Sequence, residues 1–321
     1  MLKVILGLFL SGCLMPGMIY AQYIDNTASY RDVDGEKYYR MNYENDFFTG
    51  TDQYYTQGYS LEWVSPGLKK NPLTRVLIRL NDNSKYGLSF EHYGLTPTSI
   101  ESDEILYGDR PFSACIMLKT FSISTDTIRK IRFSSLLSTG LIGRAALGEE
   151  IQRDIHRFIG RKDPRGWQYQ IGNDIILNYE INYEKLIYDS KLFSVNTHSQ
   201  LRIGTLSDKI QAGLTFTAGK LRTAFHGNQT TRGRKLNVQF YAQPLINFIA
   251  YDATLQGGVF HKNSPYTLKN DEIERITLQG NFGAIFRHRR IYFEYIQSML
   301  GKEFETGKPH QWGGVRFGLM I

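Results

Sequence analysis

Four oxygen-bearing side chains, Asn45, Asp46, Asp52 and Thr56, lie close together in the stretch Tyr43 to Gly58. Hard cations such as calcium prefer ligands of this kind. The same residues also suit a polar hairpin capped by Asx turns, so their types alone leave both readings open. Tyr43, Phe47, Phe48, Tyr54 and Tyr55 crowd the turn on both sides, as aromatic residues do at a membrane interface. His156 is the candidate general base. A neutral imidazole can take a proton from water at physiological pH. Gln152 lies four residues before it, on the same face of a helix and within mutual reach. A surface histidine with no role is the plainer alternative. No two histidines have zinc-ligand spacing, and no glycine–serine nucleophile elbow occurs. Serine hydrolysis is therefore not suggested by local motif. A calcium-polarised ester carbonyl attacked by histidine-activated water needs no protein nucleophile.

Two further motifs mark strand starts. In Gly108-Asp109-Arg110-Pro111-Phe112, Arg110 is a candidate substrate contact, or a brace paired with Asp109. In Gly166-Trp167-Gln168-Tyr169-Gln170, Trp167 is a candidate substrate contact, or an interfacial anchor.

The elements that must position these residues are strands. From Lys37 onward the chain alternates with period two. Strands are predicted near 37–47, 54–64, 84–94, 112–122, 128–141, 171–187, 191–205, 208–219, 236–250, 274–288, 290–299 and 312–321. In the last, Val315, Phe317, Leu319 and Ile321 oppose Arg316, Gly318 and Met320. The run 253–262 is not counted, because Gly257-Gly258 breaks it and such barrels need an even number of strands. The expected fold is all-β, a twelve-stranded antiparallel transmembrane β-barrel with one short helix in an extracellular loop. Three connections that carry the candidate residues then lie outside the cell: 45–54, 95–110 and 142–170. The basic 220–235 connection falls on the periplasmic side, where turns are usually short. Ile151, Ile155, Phe158 and Ile159 recur at helical spacing inside 142–170. With that apolar face turned to the barrel, Gln152 and His156 would face the other outer loops.

Residues 1–21 read as a signal peptide, with Cys13 a rival lipoprotein-type cut. Residues 22–36 form an N-terminal lead, and 37–321 the barrel. Past Ala21 no stretch reaches the roughly 18–20 apolar residues of a spanning helix. After the cut at Ala21 one cysteine, Cys115, remains, so no intramolecular disulfide can form. The formal charge of +7 suits anionic lipid headgroups, though soluble proteins share it. A hydrophobic content of 41% fits a barrel, in which only every second strand residue meets lipid.

Taken in order, these segments resemble the outer-membrane lipid A 3′-O-deacylase family. The matching residues are Asn45-Asp46, Tyr54-Tyr55-Thr56-x-Gly58, Gly108-Asp109-Arg110-Pro111-Phe112, Gln152-x-x-x-His156-Arg157 and Gly166-Trp167-x-x-Gln170. The resemblance implies an outer-membrane, calcium-dependent ester hydrolase that removes the 3′-acyloxyacyl chain of lipid A in the outer leaflet. Its partners would be lipid A or lipopolysaccharide, not nucleic acid, and it would act as a monomer. By this resemblance His156 is the catalytic base, Asn45 and Asp46 hold Ca2+, Thr56 is the hydroxyl beside them, and Gln152 lines the site. Two departures stand out. The family has a glutamate six residues beyond the histidine, where this chain has Lys162. The family also has a cation in the second outer loop, where this chain reads Glu101-Ser102-Asp103-Glu104. A phospholipid acyl hydrolase, or a non-catalytic barrel acting as pore or scaffold, are the alternative functions.

Overall fold

The structure is a computed structural model that describes residues 25–33, 35–50, 53–81, 84–219, 225 and 236–321. The signal segment, both possible cuts and Asp52 lie outside the described residues. Twelve strands follow in order: β1 Tyr38–Asn45, β2 Tyr54–Val64, β3 Ser84–Thr96, β4 Ser113–Asp126, β5 Ile131–Ile142 and β6 Asp174–Asp189, then β7 Phe193–Gly204, β8 Ser207–Gly219, β9 Asn237–Asp252, β10 Ile276–His288, β11 Ile291–Leu300 and β12 His310–Met320. Helix α1, Gly148–Phe158, lies between β5 and β6, and the short turn α2, Ala253–Gln256, follows β9. Every expected strand is present, with ends shifted by a few residues at most. The excluded 253–262 run is indeed not a strand.

Neighbouring strands pair antiparallel, and β1 closes onto β12 from Tyr38↔Met320 to Asn45↔Gly313. Closure leaves no row of unpaired backbone groups, which a wall in lipid cannot tolerate. Short turns join β4–β5, β6–β7 and β10–β11 at the end that carries β1's start and β12's finish. The connections 97–112, 143–173 and 253–275 are long and lie at the other end. That asymmetry makes the first end periplasmic and the second external. β8 ends and β9 begins at the periplasmic end, and of the 220–235 connection between them only Phe225 is described.

The alternation sorts side chains between lipid and lumen. On β12, Arg316 is buried while Phe317 and Leu319 are exposed. On β11, Tyr292 and Glu294 are buried while Phe293 is exposed. The lumen is lined by a polar, charge-paired core. Arg316 lies 2.7 Å from Glu44 and 3.1 Å from Glu294, and Arg31 reaches Glu294 at 2.9 Å. Further buried pairs are Arg40–Glu62, Lys119–Glu91, Arg132–Glu184 and Arg202–Glu180.

Residues 25–33 enter this lumen from the periplasmic end. Ser29 donates to Glu184 through both its backbone N–H and its hydroxyl. Tyr30 stacks on Tyr241 at 4.1 Å, and Arg40 donates to the carbonyls of Arg31 and Asn26. This segment obstructs the passage at its periplasmic end, which does not favour a pore, while a cavity lined by Tyr55, Arg202, Lys209 and Asn247 remains in the lumen.

Two outcomes follow. The folded barrel should give no steady ion conductance across a planar bilayer. Glu294→Ala would leave Arg31 and Arg316 buried beside a missing counter-charge, at a cost of about 3–5 kcal/mol. A lower denaturant midpoint in the heat-modifiability assay should report that loss.

Candidate functional site on the outer wall

The site begins with an extra residue in β2. Tyr55 pairs with Leu95 and Gln57 with Gly94, so Thr56 is a β-bulge. A bulge re-aims side chains. Tyr55 turns into the lumen and stacks on Trp312 at 4.7 Å. Thr56 and Gln57 both lie against Gly94, which belongs to the outward row of β3. The site is therefore on the outside of the barrel wall, at its external end.

The 143–173 connection folds down over that patch. His92 of the same outward row meets the Ala146 carbonyl at 2.8 Å. Helix α1 starts in contact with the wall: a Cβ on Gly148 would lie 2.5 Å from Ala114 Cβ and 2.6 Å from the Trp167 ring. At the far end Arg161 lies 6.0 Å over the Phe47 ring. The helix thus runs across the wall from β4 toward the β1–β2 turn.

The face it buries is turned aside from the one expected. Gly148, Gln152 and His156 are buried against the barrel, whereas Phe158 is 91% exposed and Ile159 is also exposed. Of the apolar residues expected to pack inward, Ile151 and Ile155 are half-buried, and only Phe158 and Ile159 point away from the protein. In a water-soluble fold that would be unfavourable, but beside a bilayer the surroundings are themselves apolar. The polar face is the one that needs protein partners.

Those partners form a chain of hydrogen bonds. Trp167 Nε1 donates to Gln152 Oε1 at 2.7 Å. An indole N–H can only donate, so it sets which way the Gln152 amide faces. Gln152 Nε2 then donates to Thr56 Oγ1 at 2.9 Å. With Oγ1 already accepting, the Thr56 proton is directed away from the helix. His156, one turn beyond Gln152, places Nδ1 2.7 Å from the Lys162 carbonyl. A carbonyl can only accept, so Nδ1 carries the proton and Nε2 is the basic nitrogen.

Asn45 and Asp46 shape the turn beside this group. Asn45 Oδ1 accepts from the Phe47 N–H at 2.7 Å, and its Nδ2 donates to the Thr56 carbonyl. Asp46 Oδ2 accepts from the Gln53 N–H at 2.7 Å. The Asx-cap reading of this turn is thus correct for Asn45. Its donor set is all oxygen, with Asp46 as the carboxylate. No group of three or more His, Cys, Asp or Glu side chains that could hold a metal gathers among the described residues. Oxygen is the donor type that a hard cation takes, but Asn45 Oδ1 and Asp46 Oδ2 are each already accepting a backbone N–H, so a cation here would have to share them.

The two remaining candidates do not reach the opening. Trp167 is buried, packed on Phe112 with ring centres 5.0 Å apart, and supports Gln152 from behind. Arg110 is buried in the external connections, bonded to Thr254 and paired with Glu303. Burial raises the Glu303 carboxyl to about 7 despite that guanidinium. Arg110 does act as a brace, but its partner is Glu303. Asp109 instead accepts from Thr98 and from Arg110's backbone N–H.

Lys162 and the acidic loop, both departures from the family pattern, face one another. The Lys162 ammonium lies 3.4 Å from Glu101, and Arg165 pairs with Asp103 at 2.8 Å. One residue escaped sequence reasoning. Gln57 is buried next to Thr56, and its Nε2 has no hydrogen-bond partner among the described residues. The bulge sets it on the same face as Thr56, which strand alternation alone would not.

A family model described as "Outer membrane protein LpxR" matches residues 7–321. The chain belongs to the LpxR family. LpxR from Salmonella typhimurium superposes with a TM-score of 0.70 at 19% identity, covering 88% of this chain and 100% of that one. The β-domain of the Bordetella autotransporter BrkA gives a TM-score of 0.47 at 8% identity, covering 90% and 100%. The Pseudomonas putida toluene transporter TodX gives 0.38 at 10% identity, covering 96% and 97%. Among curated protein sequences none matches. LpxR membership and the closed twelve-stranded wall place the chain in the outer membrane.

Trp167→Phe keeps the ring packing of this LpxR-family site but leaves Gln152 Oε1 buried without a donor, a penalty of about 1–3 kcal/mol. Trypsin should then cut the basic stretch 153–165 faster, while the heat-modifiable barrel band stays unchanged.

Proposed function

We propose that this protein is a lipid A deacylase of the outer leaflet, with His156 as the base that activates water. The observation that carries this reading is the His156 ring. Its Nδ1 is held by the Lys162 carbonyl, which leaves a basic Nε2 one helical turn from the Gln152–Thr56 pair. The site opens on the lipid side of the wall, where an acyl chain can approach without leaving the bilayer.

In this mechanism Nε2 takes a proton from water as the water oxygen attacks the ester carbonyl. The Thr56 hydroxyl and Gln57 Nε2 supply donors toward the developing oxyanion. Collapse breaks the ester C–O bond, and the imidazolium returns its proton to the departing sugar alkoxide. The products are a free fatty acid and a lipid A hydroxyl. Calcium, held by Asn45 and Asp46, would act as a Lewis acid on the carbonyl oxygen. Lys162 is the cation closest in role to the one missing from the second outer loop, since its ammonium lies against Glu101 of that loop. Gln152 and Thr56 position the site, and the 3′-acyloxyacyl ester is the substrate proposed from the family resemblance.

Mass spectrometry of lipid A from cells expressing the chain tests this reading. A loss of one acyloxyacyl unit is expected, absent in His156→Ala although that variant still folds. An unchanged spectrum with a well-folded wild-type barrel would defeat the proposal and turn attention to phospholipid substrates. Lys162→Ala should keep kcat within about twofold while raising KM, because the backbone carbonyl, not the ammonium, orients His156. Chelation should stop the reaction. Calcium in the range of about 10⁻⁴–10⁻³ M should restore it, as expected for a site with few charged ligands.

A further inference from the structure

The connection between β2 and β3 does not hang into the periplasm. It turns back up the outside of the wall as a strap made of the 3-10 turns Pro66–Lys70 and Pro72–Val76, followed by residues 77–81. Its place is shown by its hydrogen bonds. Ser122 and Ser135 both donate to the Ile78 carbonyl, Tyr179 accepts from the Ile78 N–H, and Ser124 accepts from the Leu80 N–H. Ser122 pairs with Ser135 across β4–β5, in register next to Phe121–Leu136, which points into the lumen. The two serines therefore face outward. A barrel wall that turns serines toward lipid is unusual, because that face is normally apolar. Here the serines satisfy the backbone of Ile78 and Leu80, which follow the 3-10 turns, and irregular backbone so satisfied can lie at membrane depth.

The strap's other side is a lipid-facing surface. Leu73, Val76, Ile78 and Leu80 are all exposed. From Ser65 to Asn81 the segment carries Lys69, Lys70, Arg75 and Arg79 and no acidic residue. Lys69, Lys70 and Arg75 make no ion pair with any described residue, while Arg79 donates to Tyr86. Exposed apolar side chains beside unpaired cations are the pattern of a segment seated at a bilayer interface against anionic headgroups. Because β2–β3 is a periplasmic connection, the leaflet it meets is the inner one.

We propose that residues 66–81 form a binding site for anionic phospholipid of the periplasmic leaflet, with Lys69, Lys70 and Arg75 taking the headgroup phosphate. The site lies on the same side of the barrel as α1 but at the opposite end of the wall. It is independent of the deacylase reading.

The test is native mass spectrometry of the folded full chain, released from micelles holding equal phosphatidylglycerol and phosphatidylcholine. The wild type should retain phosphatidylglycerol in clear excess. Lys69→Gln/Lys70→Gln/Arg75→Gln should lower that preference by about tenfold or more. Lys69→Arg/Lys70→Arg should keep it, since the charge is retained. The single variants Lys69→Gln and Arg75→Gln should each lower it in part, so the result stands even where the triple variant does not fold. Equal retention of the two lipids by the wild type, or a preference unchanged in all the Gln variants, would overturn the proposal.

Discussion

Outside the wall of this protein there is no water, so each polar group there must find its partner within the chain. This constraint inverts the usual arrangement of a globular fold. The charges go inside, where Arg316, Glu44, Glu294 and Arg31 are bonded to one another. Isolated, any of them would be costly in the interior; joined, they make a rigid lumen. Residues 25–33 complete that packing by adding Ser29, Tyr30 and Arg31 to the network.

The same constraint explains the candidate site. Helix α1 turns Gln152 toward the wall, where it bonds Thr56 and Trp167, and buries His156 on the same face, while Phe158 and Ile159 can face lipid. The bulge at Thr56 makes this possible. Without the extra residue, strand alternation would not place Thr56 and Gln57 together on the outer face. The polar relay from Trp167 through Gln152 to Thr56 is buried and directional, so the hydroxyl is oriented before any substrate arrives. Lys162 shows how a substitution can change a side chain's role without disturbing the base. Its ammonium turns to Glu101, whereas its carbonyl holds His156.

The strap follows the same rule at the other end of the wall. Outward serines on β4 and β5 are misplaced for lipid contact until the 66–81 backbone is laid over them. Both irregular segments on this side of the barrel, α1 and the strap, thus lie against polar positions of the wall. Both present apolar residues to the surroundings.

The sequence by itself determined the class of fold, the number of strands, the closure of the last strand and the neighbourhood of His156. Period-two alternation is a local signal, and each strand carries it whether or not its neighbours are known. That Gln152 and His156 share one helix face was also legible, because four residues make about one turn of helix. What the tertiary structure decided was direction and partnership. The helix periodicity was right, but only the surrounding lipid says which face turns inward. Arg110 looked like a brace, yet its partner Glu303 lies far along the chain, beyond the reach of any local pattern. Gln57 carried no signal in the sequence, because only a one-residue bulge sets it on the same face as Thr56. The serines facing outward made no sense in alternation alone, because the segment that needs them is folded back from another connection.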